Sequence, residues 1–402
     1  MEKILALESL RGLAALIVVL THFGYAFYPA MLIGGTSAVI HSRFEQIILH
    51  SPFNILISGQ FAVICFFVLS GFVLSYGYFS KAIDLVTATI KRYFRLAPVV
   101  FVSVLLSYFL LKLGLYQNIS LAAATQSDWL EQFWKIDITL RDALWQGIVG
   151  TFVIQPQPTT SLNPLLWTIY YELIGSLLIF AFLGLAGKDR RRWILYGIFA
   201  LVFLNTYYFA FIVGMLLCDL FVHRQESFRA VGYWRKGYKI AMLVGGIVLA
   251  SYPSYLASGL DLGIVPASLI LFPESGLNQN ILYTTASVIF IVLLLTSHRI
   301  KTILERKVFV ALGSMSYSLY ATHLLILGSV GASFFLWFQS FLPYNAAALA
   351  TFPCFLAAAI LVAYLFRRYV DEPSILLSRN IVTYLKLDTW KHRKDDSVET
   401  IL

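Results

Sequence analysis

Ten apolar runs set the limits on what this chain can fold into. They lie at about 12–29, 56–78, 96–115, 164–187, 192–204, 206–222, 239–257, 279–297, 308–331 and 342–367. A hydrocarbon core about 30 Å thick asks for roughly 20 helical residues, and most of these runs reach or approach that length. Only 13% of the residues are charged and 59% are hydrophobic, more apolar surface than one soluble core can enclose. The expected fold is an all-α, polytopic membrane helical bundle of about ten transmembrane helices. The short pair 192–204 and 206–222 reads as a tight helical hairpin. Residues 1–380 form one membrane domain, and 381–402 read as a polar cytoplasmic tail.

The charges fix an orientation. Lysine and arginine concentrate in loops on the cytoplasmic side of a membrane. With both termini cytoplasmic, 26 of the 30 Lys and Arg fall on the inner side, leaving only Arg43, Lys112, Lys135 and Arg141 outside. The net charge of +9 is therefore topological and asks for no nucleic-acid partner. Cys65, Cys218 and Cys354 are widely spaced in apolar runs, which gives neither a disulfide framework nor a metal-ligand pattern.

The outer connection over 116–163 is unusually long and carries Trp129, Trp134 and Trp145, with Trp167 just after it. Leu130, Phe133, Ile138, Leu140 and Trp145 are compatible with an interfacial or re-entrant helix. Two readings of the tryptophans stay open: an aromatic belt at the headgroups, or faces that stack on sugar rings.

Ionisable residues inside apolar runs are costly and tend to face a protein interior or a wet cavity. In "LESLRGLAALIVVLTHF" Arg11 and His22 are eleven residues apart. On a helix that is a rise of about 16 Å with a return to nearly the same face. Glu172 in "LNPLLWTIYYELIGS" falls about 13 Å down its own helix from Asn163, near the expected depth of His22. A carboxylate beside an imidazole fixes its tautomer and raises its basicity, so the pair reads as an oriented general base. Arg92 and Arg95 in "KRYFRLAP", three residues apart at the expected inner edge, could join Arg11 in a cluster suited to phosphate. A carrier with phosphates at one end and a thioester on a long arm, such as coenzyme A, spans a distance of that order.

These residues stand in motifs that resemble, in order along the chain, those of the integral-membrane acyltransferase type 3 family. The first is the arginine–histidine helix; "FFVLSGFVLSYGYF", "KRYFRLAP", "LWTIYYE", "FIVGMLLCDL", "LGSMSYSLYATH" and "DEP" follow. Thr168 and Tyr170 replace the two serines usual in the tryptophan–glutamate motif, and Ile64 stands where an acidic residue is common.

The resemblance implies transfer of an acyl group, most often acetyl, from cytoplasmic acetyl-CoA to a hydroxyl of a cell-surface or lipid-linked carbohydrate at the outer face. It carries over His22 and Glu172 as the catalytic pair and Arg11, Arg92 and Arg95 as donor-binding residues. Trp167, Tyr171, Tyr317, Tyr320 and His323 are expected on the acceptor side, with a structural role for His323 as the other reading. No metal is expected. Direct attack and an acyl-imidazole relay both remain open, as does self-association. The expected place is the cell (inner) membrane, multi-pass. The rival reading from another class is a secondary transporter or flippase of a lipid-linked saccharide, which would favour internal repeats and broken helices.

Overall fold

The structure, a computed structural model, describes residues 4–33, 39–81, 83–252 and 277–385. Ten apolar helices organise the described residues: α1 (Leu5–Phe27), α2 (Gly59–Lys81), α3 (Leu85–Lys112), α4 (Trp167–Ala186) and α5 (Arg192–Val202) come first. They are followed by α6 (Tyr208–His223), α7 (Lys236–Ala250), α8 (Leu277–Thr296), α9 (Lys307–Gln339) and α10 (Tyr344–Tyr384). No strand occurs among the described residues, so the chain is an all-α, polytopic helical membrane protein.

Each expected apolar segment coincides with one helix, but their lengths differ from expectation. Seven are long and apolar enough to cross a membrane. An eighth span results if α6 is joined to the short helix Gln225–Gly232, which leaves it at 90°. Helix α5 has only 11 residues and α7 only 15; the expected end of the α7 run at 257 lies outside the described residues. At the other extreme, α10 continues to Tyr384, well past residue 367. The expected tail from 381 thus begins inside a helix, and residues 386–402 lie outside the described ones.

Helix α3 starts at Leu85, eleven residues before its apolar run. Asp84 caps it by accepting from the Thr87 amide at 2.7 Å, which satisfies one of the orphan donors of a helix start. Among the ten, two helices contain a π-turn, Leu327–Gly331 in α9 and Arg367–Asp371 in α10.

Helix α9 is the most enclosed: 78% of its apolar window is buried, against 33% for α3. It packs along α1 and α10, while α1 also packs on α2, and α2 on α6, α8 and α4. Apolar burial gains little between helices when the alternative solvent is lipid, so close backbone approach has to supply the attraction. Small residues provide it at two crossings. Gly12 on α1 faces Gly313 on α9, and Gly71 on α2 faces the Phe211–Gly214 turn of α6. A Cβ at any of these four glycines would enter backbone of the facing helix.

Gly214→Ala is accordingly expected to lower stability by about 1–3 kcal/mol, the usual cost of overpacking. Gly197→Ala, which meets open space, should be neutral or slightly stabilising. Thermal unfolding of the two purified variants in detergent distinguishes them.

Candidate active site

Two cavities lie side by side in the bundle. The first, about 150 Å3, is lined by Arg11, Arg92, Arg95, Glu172, Ser70 and Tyr317 among others. The second, about 280 Å3, is lined by His22, Tyr25, Asn54, Gln60, Trp167 and Gln279 among others. Val63 and Tyr320 line both. A single layer of side chains therefore separates an arginine-lined chamber from one in which no lysine, arginine or carboxylate contributes among the described residues.

In the arginine cavity two of the three cations are matched with carboxylates. Arg92 donates to Glu172 and, through Nε, to Ser176 at 3.0 Å. Ser70 on α2 donates to the same Glu172 carboxylate. Arg95 donates to Asp371 and, at 2.9 Å, to Ser374. The π-turn of α10 includes Asp371; such turns re-aim side chains and recur at functional sites. Arg11 differs. It lines the cavity within the electrostatic reach of Glu172, Arg92, Arg95 and Glu8, and makes no ion pair among the described residues. The backbone contact at neighbouring Gly12 holds its helix tightly against α9.

In the histidine cavity, His22 Nδ1 lies 2.8 Å from His323 Nε2, with the two rings within 16° of one plane. His323 is fully buried, and its Nδ1 lies 2.8 Å from the Leu319 carbonyl one turn back on α9. On the other side, Trp129 lies parallel to His22 with ring centroids 5.3 Å apart. Tyr25 stacks on Trp129 in turn, at 5.0 Å.

These contacts redistribute the expected roles. Glu172 was expected beside His22, and the structure pairs it with Arg92 and Ser70 instead. Distance along the helix axis set the expectation, but the face decides: Glu172 and Ser176, one turn apart, both meet Arg92 of α3. Arg92 and Arg95 lie roughly 10–15 Å along α3 from its early start and just before its apolar run, each with a carboxylate partner. Arg11, Arg92 and Arg95 do share one cavity. Trp167 lines the histidine cavity, Tyr317 the arginine cavity and Tyr320 both. Tyr171 lines neither and packs against Tyr207 at 4.8 Å. His323 reaches the cavity only through His22.

The outer connection packs on the bundle rather than lying at its surface. Leu130, Phe133 and Ile138 are buried, while Leu140 and Trp145 are exposed. Its three tryptophans and Trp167 just after it take four different places. Trp129 covers His22. Trp134 is buried, stacks on Tyr116 at 3.9 Å and donates to the Leu162 carbonyl at 2.9 Å. Trp145 faces outward, and Trp167 faces the histidine cavity. Two functional candidates went unassigned in the sequence. Asp371 was visible only as part of "DEP", and Ser70 as part of "FFVLSGF". Ser70 stood out only as a polar residue inside an apolar motif, and Asp371 as one of several charges after the last apolar run.

The long apolar helices, the paired intramembrane charges and the two adjoining cavities define a polytopic membrane protein with an enclosed polar site between its helices. The chain belongs to the acyltransferase type 3 family, whose model, described as an acyltransferase domain, matches residues 4–368. It is a multi-pass membrane acyltransferase. Searches of curated proteins and of solved structures gave no match.

Breaking the Arg95–Asp371 pair tests how far this network holds the bundle together. Asp371 is 6% exposed and Arg95 29%. Asp371→Asn should therefore cost toward the lower end of the ~3–5 kcal/mol seen when one partner of a buried pair is removed. An Arg95→Met, Asp371→Leu double variant should recover part of that loss. Thermal unfolding of the three proteins reads both effects.

Proposed function

We propose that this chain transfers an acetyl group from acetyl-CoA to a hydroxyl of a cell-surface or lipid-linked carbohydrate, across the inner (cytoplasmic) membrane. The observation that carries this reading is the pair of adjoining chambers, one cationic and one uncharged with a histidine, that share Val63 and Tyr320.

The cationic chamber suits the donor. Arg11 supplies a guanidinium with no carboxylate of its own, and guanidinium groups bind phosphate through charge-assisted hydrogen bonds. At about 150 Å3 the chamber falls below the ~300–1,000 Å3 of sites that enclose drug-sized ligands. It therefore admits the narrow pantetheine arm, with the nucleotide outside at the Arg11 end. The thioester then reaches the layer formed by Val63 and Tyr320. Arg92 and Arg95, already paired, hold the shape of the chamber and add positive potential to it.

The uncharged chamber suits a carbohydrate. Asn54, Gln60 and Gln279 offer amide donors and acceptors, and Trp167 offers a flat apolar face. His22 lines that chamber and acts as general base. It takes the proton of the attacking hydroxyl as the oxygen bonds to the thioester carbonyl, and returns it to the departing thiolate. Family membership favours this acyl transfer over the transport reading.

The test is transfer of label from [14C]acetyl-CoA to a surface-polysaccharide or glycolipid extract by purified protein in bilayers, with binding of CoA measured separately. His22→Ala should reduce transfer by about 10²–10⁴-fold, the usual contribution of a general base, and leave CoA binding intact. Arg11→Ala should weaken CoA binding by roughly 10–150-fold, equivalent to ~1.5–3 kcal/mol for a charged hydrogen bond. Transfer unchanged in His22→Ala would overturn the reading.

A further inference from the structure

The partner of His22 is another histidine, and its geometry determines which ring nitrogen of His22 carries a proton. A carbonyl oxygen can only accept, so the 2.8 Å contact to Leu319 requires a proton on His323 Nδ1. A neutral imidazole carries one proton, which leaves His323 Nε2 as an acceptor. A second proton on His323 would create a fully buried cation whose described partners, the Leu319 carbonyl and His22, bear no negative charge. With His323 Nε2 accepting at 2.8 Å, His22 Nδ1 must donate. The remaining nitrogen, His22 Nε2, then holds a free lone pair in a ring that lines the uncharged chamber.

From this chain of contacts we propose that His323 is the positioning residue of the site. It fixes His22 in the Nδ1–H tautomer, the role expected of Glu172 from the sequence, and does so without a charge. The proposal deepens the acetyl-transfer reading and rests on it for the direction in which the lone pair is used. Trp129, parallel to His22 at 5.3 Å, holds the ring plane from its opposite side, and the Leu319 carbonyl holds the His323 ring from within α9.

The balance of the step follows. The proton of the carbohydrate hydroxyl moves to His22 Nε2 as the new oxygen–carbon bond forms. The carbon–sulfur bond of the thioester breaks, and the CoA thiolate takes that proton. The proton on His22 Nδ1 stays in place throughout. While His22 is an imidazolium, its charge faces the His323 Nε2 lone pair, and the His323 dipole is held by the Leu319 carbonyl. A neutral relay of this kind can stabilise the transient cation without pinning a proton on the base, as a buried carboxylate partner would tend to do in an apolar site.

The experiment is 15N NMR of protein labelled at histidine, in which protonated and unprotonated ring nitrogens are distinct. The signals of His22 are assigned by their loss in His22→Ala. The wild-type protein should show His22 protonated at Nδ1 and free at Nε2. In His323→Leu, which cannot accept, the Nε2–H form should become populated. Its kcat for acetyl transfer should fall by about 10²–10⁴-fold, with KM changed only a few-fold. His323→Gln, whose Oε1 can accept from Nδ1–H, should restore the tautomer and much of kcat. A wild-type His22 protonated at Nε2, or a folded His323→Leu protein with tautomer and kcat both unchanged, would overturn the proposal. Correct tautomers in a protein that transfers no acetyl group would instead overturn the functional reading.

Discussion

The low dielectric of the bundle interior is the constraint on which this structure depends. A charge there must meet an opposite charge, a set of hydrogen bonds or a wet cavity. All three appear around the arginine chamber. Arg92 and Glu172 neutralise each other, with Ser70 and Ser176 taking up further hydrogen bonds. Arg95 draws Asp371 out of the last helix. Arg11 alone is left to the cavity. A third buried carboxylate, Asp219 on α6, follows the same rule away from the site: Arg192 donates to both its oxygens at 2.6 and 3.0 Å, and Tyr196 donates at 3.1 Å.

The helical architecture was legible in the sequence because lipid imposes it. A spanning segment must satisfy its backbone internally, so a long apolar run has little choice but to be helical, and among the described residues each of the ten runs forms a helix. The lengths were less legible. Apolarity marks the portion of a helix that lipid can cover, whereas the helix itself continues wherever capping and packing support it. Asp84 starts α3 eight residues before Arg92, and nothing in the apolar pattern announces that. Pro98 and Pro353 sit inside helices, where a soluble-protein reading would have placed breaks.

The site was legible in its members but not in its pairings. His22, Arg11, Arg92, Arg95 and Glu172 were recognisable because polar residues in apolar runs are conspicuous. Their partners depend on helix rotation and on long-range connection. Glu172 could meet His22 or Arg92 according to the face that α4 turns to its neighbours, and spacing within one helix does not fix that face. His323 was recognisable too, yet its distance of 301 residues from His22 along the chain concealed the contact. Trp129 illustrates the same limit. Its place in a long polar-and-aromatic loop suggested a headgroup belt or a sugar platform, and the fold uses it to cover a histidine.

The π-turns of α9 and α10 bring remote elements up to the two chambers. A π-turn interrupts the regular i→i−4 ladder and frees backbone or side-chain groups to face new partners. In α9 the interruption at Leu327–Gly331 lies one turn beyond His323, and the Gly328 carbonyl there accepts from the Gln117 amide at 2.8 Å. The Trp134 ring packs where a side chain at Gly328 would otherwise stand. That contact docks the outer connection, and the docked connection carries Trp129 onto His22. In α10 the interruption at Arg367–Asp371 brings Asp371 to Arg95 and so ties the last helix to α3 beside the arginine chamber. A residue that each chamber holds, His22 or Arg95, is thus met by an element remote in sequence and placed by a break in a long helix. Such breaks cost regular hydrogen bonds within the helix, and they persist where tertiary contacts replace them. Their position next to His323 and Arg95 makes the placing of the histidine and arginine chambers depend on contacts made by α9 and α10.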